Sequence, residues 1–104
     1  GNSFVHETES QVILNGSYNI NFTMDLVEKD VGLFQNLASK LGIDLEISPL
    51  VLEIIKDAKD KFGSRAWSSM VVKRLEDKYD ANFRSPGYPE ELVDKEKKEI
   101  GYEI

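Results

Sequence analysis

No cysteine occurs among the 104 residues, which removes a disulfide framework, a thiolate nucleophile and any cysteine-based zinc or iron–sulfur site. A reducing compartment fits that usage best, and the chain is expected to be cytoplasmic. The single histidine, His6, cannot build a polyhistidine centre. On a helix it reads as a solvated or core-edge side chain, so no metal site is expected. Apolar runs stop after a few residues, as in Leu50-Val51-Leu52, far below the roughly 20 that a bilayer span requires. The first residues hold no basic stretch followed by an apolar one, and Gly1 in place of methionine reads as a cut end.

Positive charge is also scarce. The formal net charge is −6 and the isoelectric point is near 4.8, which opposes binding to phosphate backbones or anionic lipid, so neither nucleic acid nor membrane is expected as a partner. Gly1, Gly16, Gly32 and Gly42 are too scattered to form a phosphate-binding loop, and neither G-x-G-x-x-G nor G-x-x-x-x-G-K is present. Ser64, Ser68 and Ser69 have no histidine at a suggestive position, and paired carboxylates such as Glu90-Glu91 fall in polar sequence where nothing raises a pKa. Asn15-Gly16-Ser17 and Asn21-Phe22-Thr23 fit the glycosylation pattern, but three-residue patterns arise by chance and nothing signals secretion. The chain carries no catalytic residue of its own on these grounds.

What is present is a helical pattern. With 40% hydrophobic and 31% charged residues, the chain is suited to a single folded core. Phe4, Val5, Val12 and Ile13 give a weakly amphipathic helix ending at Asn15-Gly16. From Thr23 to Leu41, apolar residues at Leu26, Val27, Val31, Leu33, Phe34, Leu37, Ala38 and Leu41 keep a period of 3.6, with Thr23 as N-cap and Gly42 as stop. Ile43 to Ile47 reads as an extended link. Ser48-Pro49 is expected to open a second helix, the serine hydroxyl capping free amides and proline fitting the first turn. This helix runs to Phe62 and closes at Gly63, with a stripe wide enough to predict burial on more than one side. A third helix is predicted from Arg65 to Tyr79, with Trp67, Met70, Val71 and Leu75 inward and Glu76 among the residues elsewhere. Residues 1–80 therefore read as the helical domain. Residues 81–104 read as an irregular tail in which Phe83, Tyr88 and Tyr102 hint at docking.

The residues with chemical potential are Phe22, Lys29 and Asp30. At 100° per residue, Lys29 and Asp30 sit beside the apolar face of Leu26, Val27 and Val31. Charges bordering a core stripe are costly unless paired or useful. A lysine there can hold a developing oxyanion or a cofactor amide, and an aspartate can orient it or accept a substrate hydroxyl. The plainer alternative is a boundary pair with both heads in water.

The run from Phe22 to Leu33 resembles the F-x-x-x-L-x-x-K-D-L-x-L signature of the β-hydroxyacid dehydrogenase family, with Val31 in place of leucine. The likeness extends through Ala38, Gly42 and Ser48-Pro49 to about residue 78, and Asn15-Gly16-Ser17-Tyr18 resembles the family's G-D-Y turn. Gly1-Asn2-Ser3-Phe4 is similar to a G-N-S-W run of the L-threonate dehydrogenase-like branch. The resemblance implies an all-α helical bundle like the C-terminal domain of β-hydroxyacid and phosphogluconate dehydrogenases. It further implies an NAD- or NADP-binding Rossmann domain upstream, with the catalytic lysine on a helix just before Gly1, and a homodimer or higher homo-oligomer. By the same resemblance Phe22 walls the substrate pocket, Lys29 reaches the cofactor and Asp30 makes polar contacts to a small hydroxyacid or its semialdehyde. A non-enzymatic helical interaction module that shares the Lys29-Asp30 helix is the alternative.

Overall fold

The computed structural model describes residues 1–89 and residue 101. Among these the architecture is all-α: α1 (Phe4–Asn15), α2 (Met24–Lys40), α3 (Ser48–Phe62), a 3-10 turn over Ser68–Val72, and α4 (Lys73–Tyr79). α2 and α3 form the main pair, and α1 meets the body at the 3-10 turn.

Local chemistry sets the ends of these elements. Ser3 caps α1 by accepting from the His6 amide at 3.0 Å, and Gly16 closes it in the left-handed region at φ 85°. His6 is exposed, with Ser10 Oγ 3.2 Å from its Nδ1. α2 ends in a Schellman arrangement: the Ile43 amide donates to the Ala38 carbonyl at 2.9 Å and the Gly42 amide to that of Ser39 at 3.2 Å, with Gly42 at φ 68°.

At the start of α2, Thr23 stands at the N-cap position in extended backbone, but its hydroxyl donates to the Asp25 carboxylate and caps no amide. The free amides go elsewhere. Met24 donates to the Ala66 carbonyl at 2.8 Å and Asp25 to that of Ser64 at 3.0 Å, while Ser68 donates to the Phe22 carbonyl at 2.7 Å. This stitching, which includes a Thr23–Trp67 bridge, corrects the expectation of one helix from Arg65 to Tyr79. Ser64, Ala66 and Ser68 are held by backbone bonds to the start of α2, and Ser68, Ser69, Val71 and Val72, poor helix formers, wind as a 3-10 turn before α4 begins at Lys73.

The cap expected of Ser48 is also corrected. Ile47 takes the N-cap position, Ser48 is already helical, and its Oγ is buried without a hydrogen-bond partner. Gly63 ends α3 as expected, at φ 102°.

The core is small. Met24, Ile55 and Ala58 are buried, with Val27, Phe62, Met70 and Val71 packed on them. Fully burying Met24, at 0% exposure, is worth about 1.5–3 kcal/mol. A second buried group joins Val12, Tyr18 and Ser69, the Ser69 hydroxyl donating to the Tyr18 carbonyl at 2.7 Å. Tyr18, Asn21 and Asp80 all lie in the left-handed region, at φ 55°, 58° and 49°, each conformation costing on the order of 1–3 kcal/mol.

Three expectations about burial do not hold. Leu26, Leu33, Phe34 and Leu37 of α2, and Leu41 at its C-cap, face outward, Leu33 at 61% and Leu37 at 56% exposure. Leu50 and Val51 are likewise exposed, so among the described residues α3 buries one face. Leu75 is exposed, whereas Glu76, expected away from the core, is 5% exposed. Two adjacent helices cannot cover a stripe wider than their mutual contact, so part of each apolar face remains outside.

Candidate functional site

Lys29 and Asp30 stand on the outer side of α2, where Leu26, Leu33 and Leu37 recur at helical spacing between them. Lys29 Nζ lies 3.1 Å from Asp30 Oδ1, with 59% and 57% of their side chains exposed. At that exposure the pair contributes little to stability, about 0–1 kcal/mol. Both heads remain open to a ligand.

The two residues border different depressions. Lys29 lines one of about 480 Å³ between α2 and α3, with an apolar floor that includes Leu33 and Leu52 and a charged rim that includes Asp25, Glu28, Lys56 and Lys59. Asp30 borders an apolar groove of about 480 Å³ lined by Val31, Phe34, Ile47, Ser48 and Val51. The lysine and aspartate thus form a crest between a hollow with a charged rim and one lined by apolar side chains. Phe22, half-exposed at the start of α2, lines neither hollow. Its backbone is fixed by the Ser68 amide, which aims the residue at the N-terminal end of the same helix.

The surrounding charges hold the helices in register. Glu28 of α2 accepts from Lys59 of α3 at 2.5 Å, and this hydrogen bond raises the lysine's pKa. The Thr23 hydroxyl, followed by the Leu26 amide at 2.9 Å and Arg65 at 3.4 Å, holds Asp25 below its ordinary value. Asp57 of α3 accepts from Arg74 of α4 at 2.6 Å, which depresses its pKa and ties the last helix to the pair. Among the described residues no group of histidines, cysteines and carboxylates is placed to hold a metal ion, and no helix is long and apolar enough to cross a membrane.

A further polar cluster was not anticipated from sequence. Tyr18, Glu76 and Arg84 meet where α1, α4 and the segment after α4 converge, the Tyr18 hydroxyl donating to Glu76 Oε1 at 2.5 Å. Burial, then the bond to Glu76, pushes the Tyr18 hydroxyl's pKa up. The expected docking aromatics Phe83 and Tyr88 are substantially exposed, and it is Arg84 between them that docks. Tyr102 and the charged run Asp94–Glu99 lie outside the described residues. The available signal was an arginine inside the turn-forming run Arg84-Ser85-Pro86-Gly87.

On this helical frame the comparisons with known proteins bear directly. A family model described as the NAD-binding region of NADP-dependent 3-hydroxyisobutyrate dehydrogenase matches residues 1–75, which takes in α1, α2, α3, the 3-10 turn and the start of α4. No curated protein and no solved structure matches. With most of its length covered by that model, the chain belongs to the family of 3-hydroxyisobutyrate dehydrogenase-like NAD-binding domains.

Proposed function

We propose that this chain is the C-terminal substrate-binding and dimerisation domain of an NAD(P)-dependent oxidoreductase acting in the cytoplasm on small β-hydroxyacids or their semialdehydes. The carrying observation is the crest on α2: an exposed lysine–aspartate pair flanking an apolar stripe that nothing in the described chain covers. A nicotinamide ring has an apolar face and a polar amide edge, which suits Leu26 and Leu33 beside the Lys29 ammonium. The chain supplies one wall of such a site only, because it has no glycine-rich phosphate cradle.

In this reading Lys29 reaches the cofactor or the adjoining substrate oxygen, where a fixed positive charge stabilises charge that develops during the reaction. Asp30 holds the Lys29 ammonium in place and offers an acceptor to a substrate hydroxyl. Phe22, at the N-terminal end of α2 and outside both hollows, meets the substrate only where the cofactor-binding domain closes over that end of the helix. The cofactor, when bound, supplies the hydride acceptor or donor. The proton-transferring lysine belongs to the upstream part of the full-length protein, so the 104-residue chain alone is inactive. The exposed apolar surface of α2 and α3 supports contacts with the cofactor-binding domain and with a second copy.

The test is nicotinamide-dependent oxidation of a panel of short hydroxyacids by the full-length protein. Reduction of NAD or NADP with a β-hydroxyacid, and none by the isolated chain, is expected. Failure of every hydroxyacid with both cofactors would favour a helical interaction module.

A further inference from the structure

Residues 81–89, which follow α4, have no regular structure, yet they are fastened to the end of α1 at successive points. The Ser85 amide donates to the Leu14 carbonyl at 3.0 Å, Arg84 Nη1 donates to the Ile13 carbonyl at 3.1 Å, and the Asn15 amide group donates to the Pro89 carbonyl. These bonds engage carbonyls and a side chain at the helix terminus, the Ile13 carbonyl in addition to its bond from the Gly16 amide.

Arg84 also reaches inward. Its Nη2 donates to the Tyr18 hydroxyl at 2.6 Å, its Nη1 lies 3.3 Å from Glu76 Oε1, and its guanidinium rides 4.9 Å above the Tyr18 ring. Glu76 and Tyr18 are 5% and 6% exposed. Arg84 is the cation paired with that buried carboxylate among the described residues, and removing it leaves a buried charge uncompensated. Gly16 is part of the fit, since a Cβ there would stand 2.4 Å from Arg84 Nε. The left-handed residues Tyr18 and Asp80 lie at the two loops that the cluster joins, where a surrounding latch is needed to maintain strained backbone.

The other end of α1 has little to hold it. Residues 1–7 are exposed, Phe4 and Val5 included, and the helix meets the body through its second half at the 3-10 turn. We propose that residues 82–89 are a strap, latched by Arg84, that fixes the direction of α1 against α4, and that unlatching frees α1 while the α2–α3 pair stays folded. In one respect this extends the reading above: if α1 is the link to a cofactor-binding domain, the latch sets how the two parts sit. The test stands apart from that reading because it measures no activity.

Hydrogen exchange followed by mass spectrometry on the unmodified protein, Arg84→Gln and Arg84→Lys provides the test. In Arg84→Gln, amides of Val12–Gly16 are expected to exchange about tenfold faster or more, while those of Val27–Ala38 and Ile55–Phe62 stay within about twofold. Arg84→Lys, which keeps the charge but loses the planar fork, is expected to fall between. Unchanged α1 exchange in both variants, or equal acceleration of all helices in either, overturns the proposal.

Discussion

Asp57 shows how one side chain can hold two helices and respond to pH. It accepts from Arg74 at 2.6 Å and faces Lys61 at 3.3 Å, so its carboxylate is favoured and its pKa lies below the ordinary aspartate value, chiefly because of Arg74. A depressed folded pKa contributes stability that is present above the unfolded value and lost as pH falls through the folded one. Carboxyl-carbon NMR titration is therefore expected to give a midpoint for Asp57 below that of an unstructured aspartate, and Arg74→Ala is expected to move it upward. A midpoint unmoved by Arg74→Ala would remove Arg74 as the cause. Met24 and Leu33 make a complementary pair, both apolar and both on α2, one at 0% and one at 61% exposure. Met24→Ala is expected to cost about 2–5 kcal/mol and Leu33→Ala to stay within about 0.5 kcal/mol, measured by urea unfolding. Comparable losses would mean that the two faces of α2 are wrongly assigned.

At the level of elements, periodicity and glycine stops made α1, α2 and α3 legible to within a few residues, because those signals act locally. What the sequence hid were features decided by distant partners. The amides at the start of α2 take their carbonyls from Ser64 and Ala66, and that commitment breaks the expected third helix into a 3-10 turn and a short α4. Glu76 reads as a surface residue until Tyr18, remote in sequence, and Arg84, in the irregular segment beyond α4, are brought to it. Phe22, Lys29 and Asp30 were readable as one motif, but their division between the start of α2 and two separate hollows was not. Ser48 carries an element-scale prediction. A working N-cap serine is worth about 1 kcal/mol, whereas the Ser48 hydroxyl is buried with no partner. Ser48→Ala is expected to leave the urea midpoint unchanged or raise it, and a loss near 1 kcal/mol would restore the capping role.

For the whole molecule, the decisive property is the mismatch between apolar surface and available cover. Among the described residues the buried core is confined to a few side chains, while Leu33, Phe34, Leu37, Leu41, Ile47 and Leu50 are exposed. A monomeric domain seldom leaves so contiguous an apolar face without a partner for it. The chain belongs to a family of 3-hydroxyisobutyrate dehydrogenase-like NAD-binding domains, and the function proposed above assigns that face to the cleft, with the Lys29–Asp30 pair at its crest. The most direct measurement is the kinetics of Lys29→Ala in the full-length protein with its preferred hydroxyacid, after circular dichroism establishes unchanged helicity. Losing a charged contact made near the reacting atoms is worth about 1.5–3 kcal/mol, so kcat/KM is expected to fall roughly 10- to 100-fold. Unchanged kcat and unchanged KM for both cofactor and substrate would show Lys29 to be a solvated surface charge and contradict the assignment of this face to the active-site cleft.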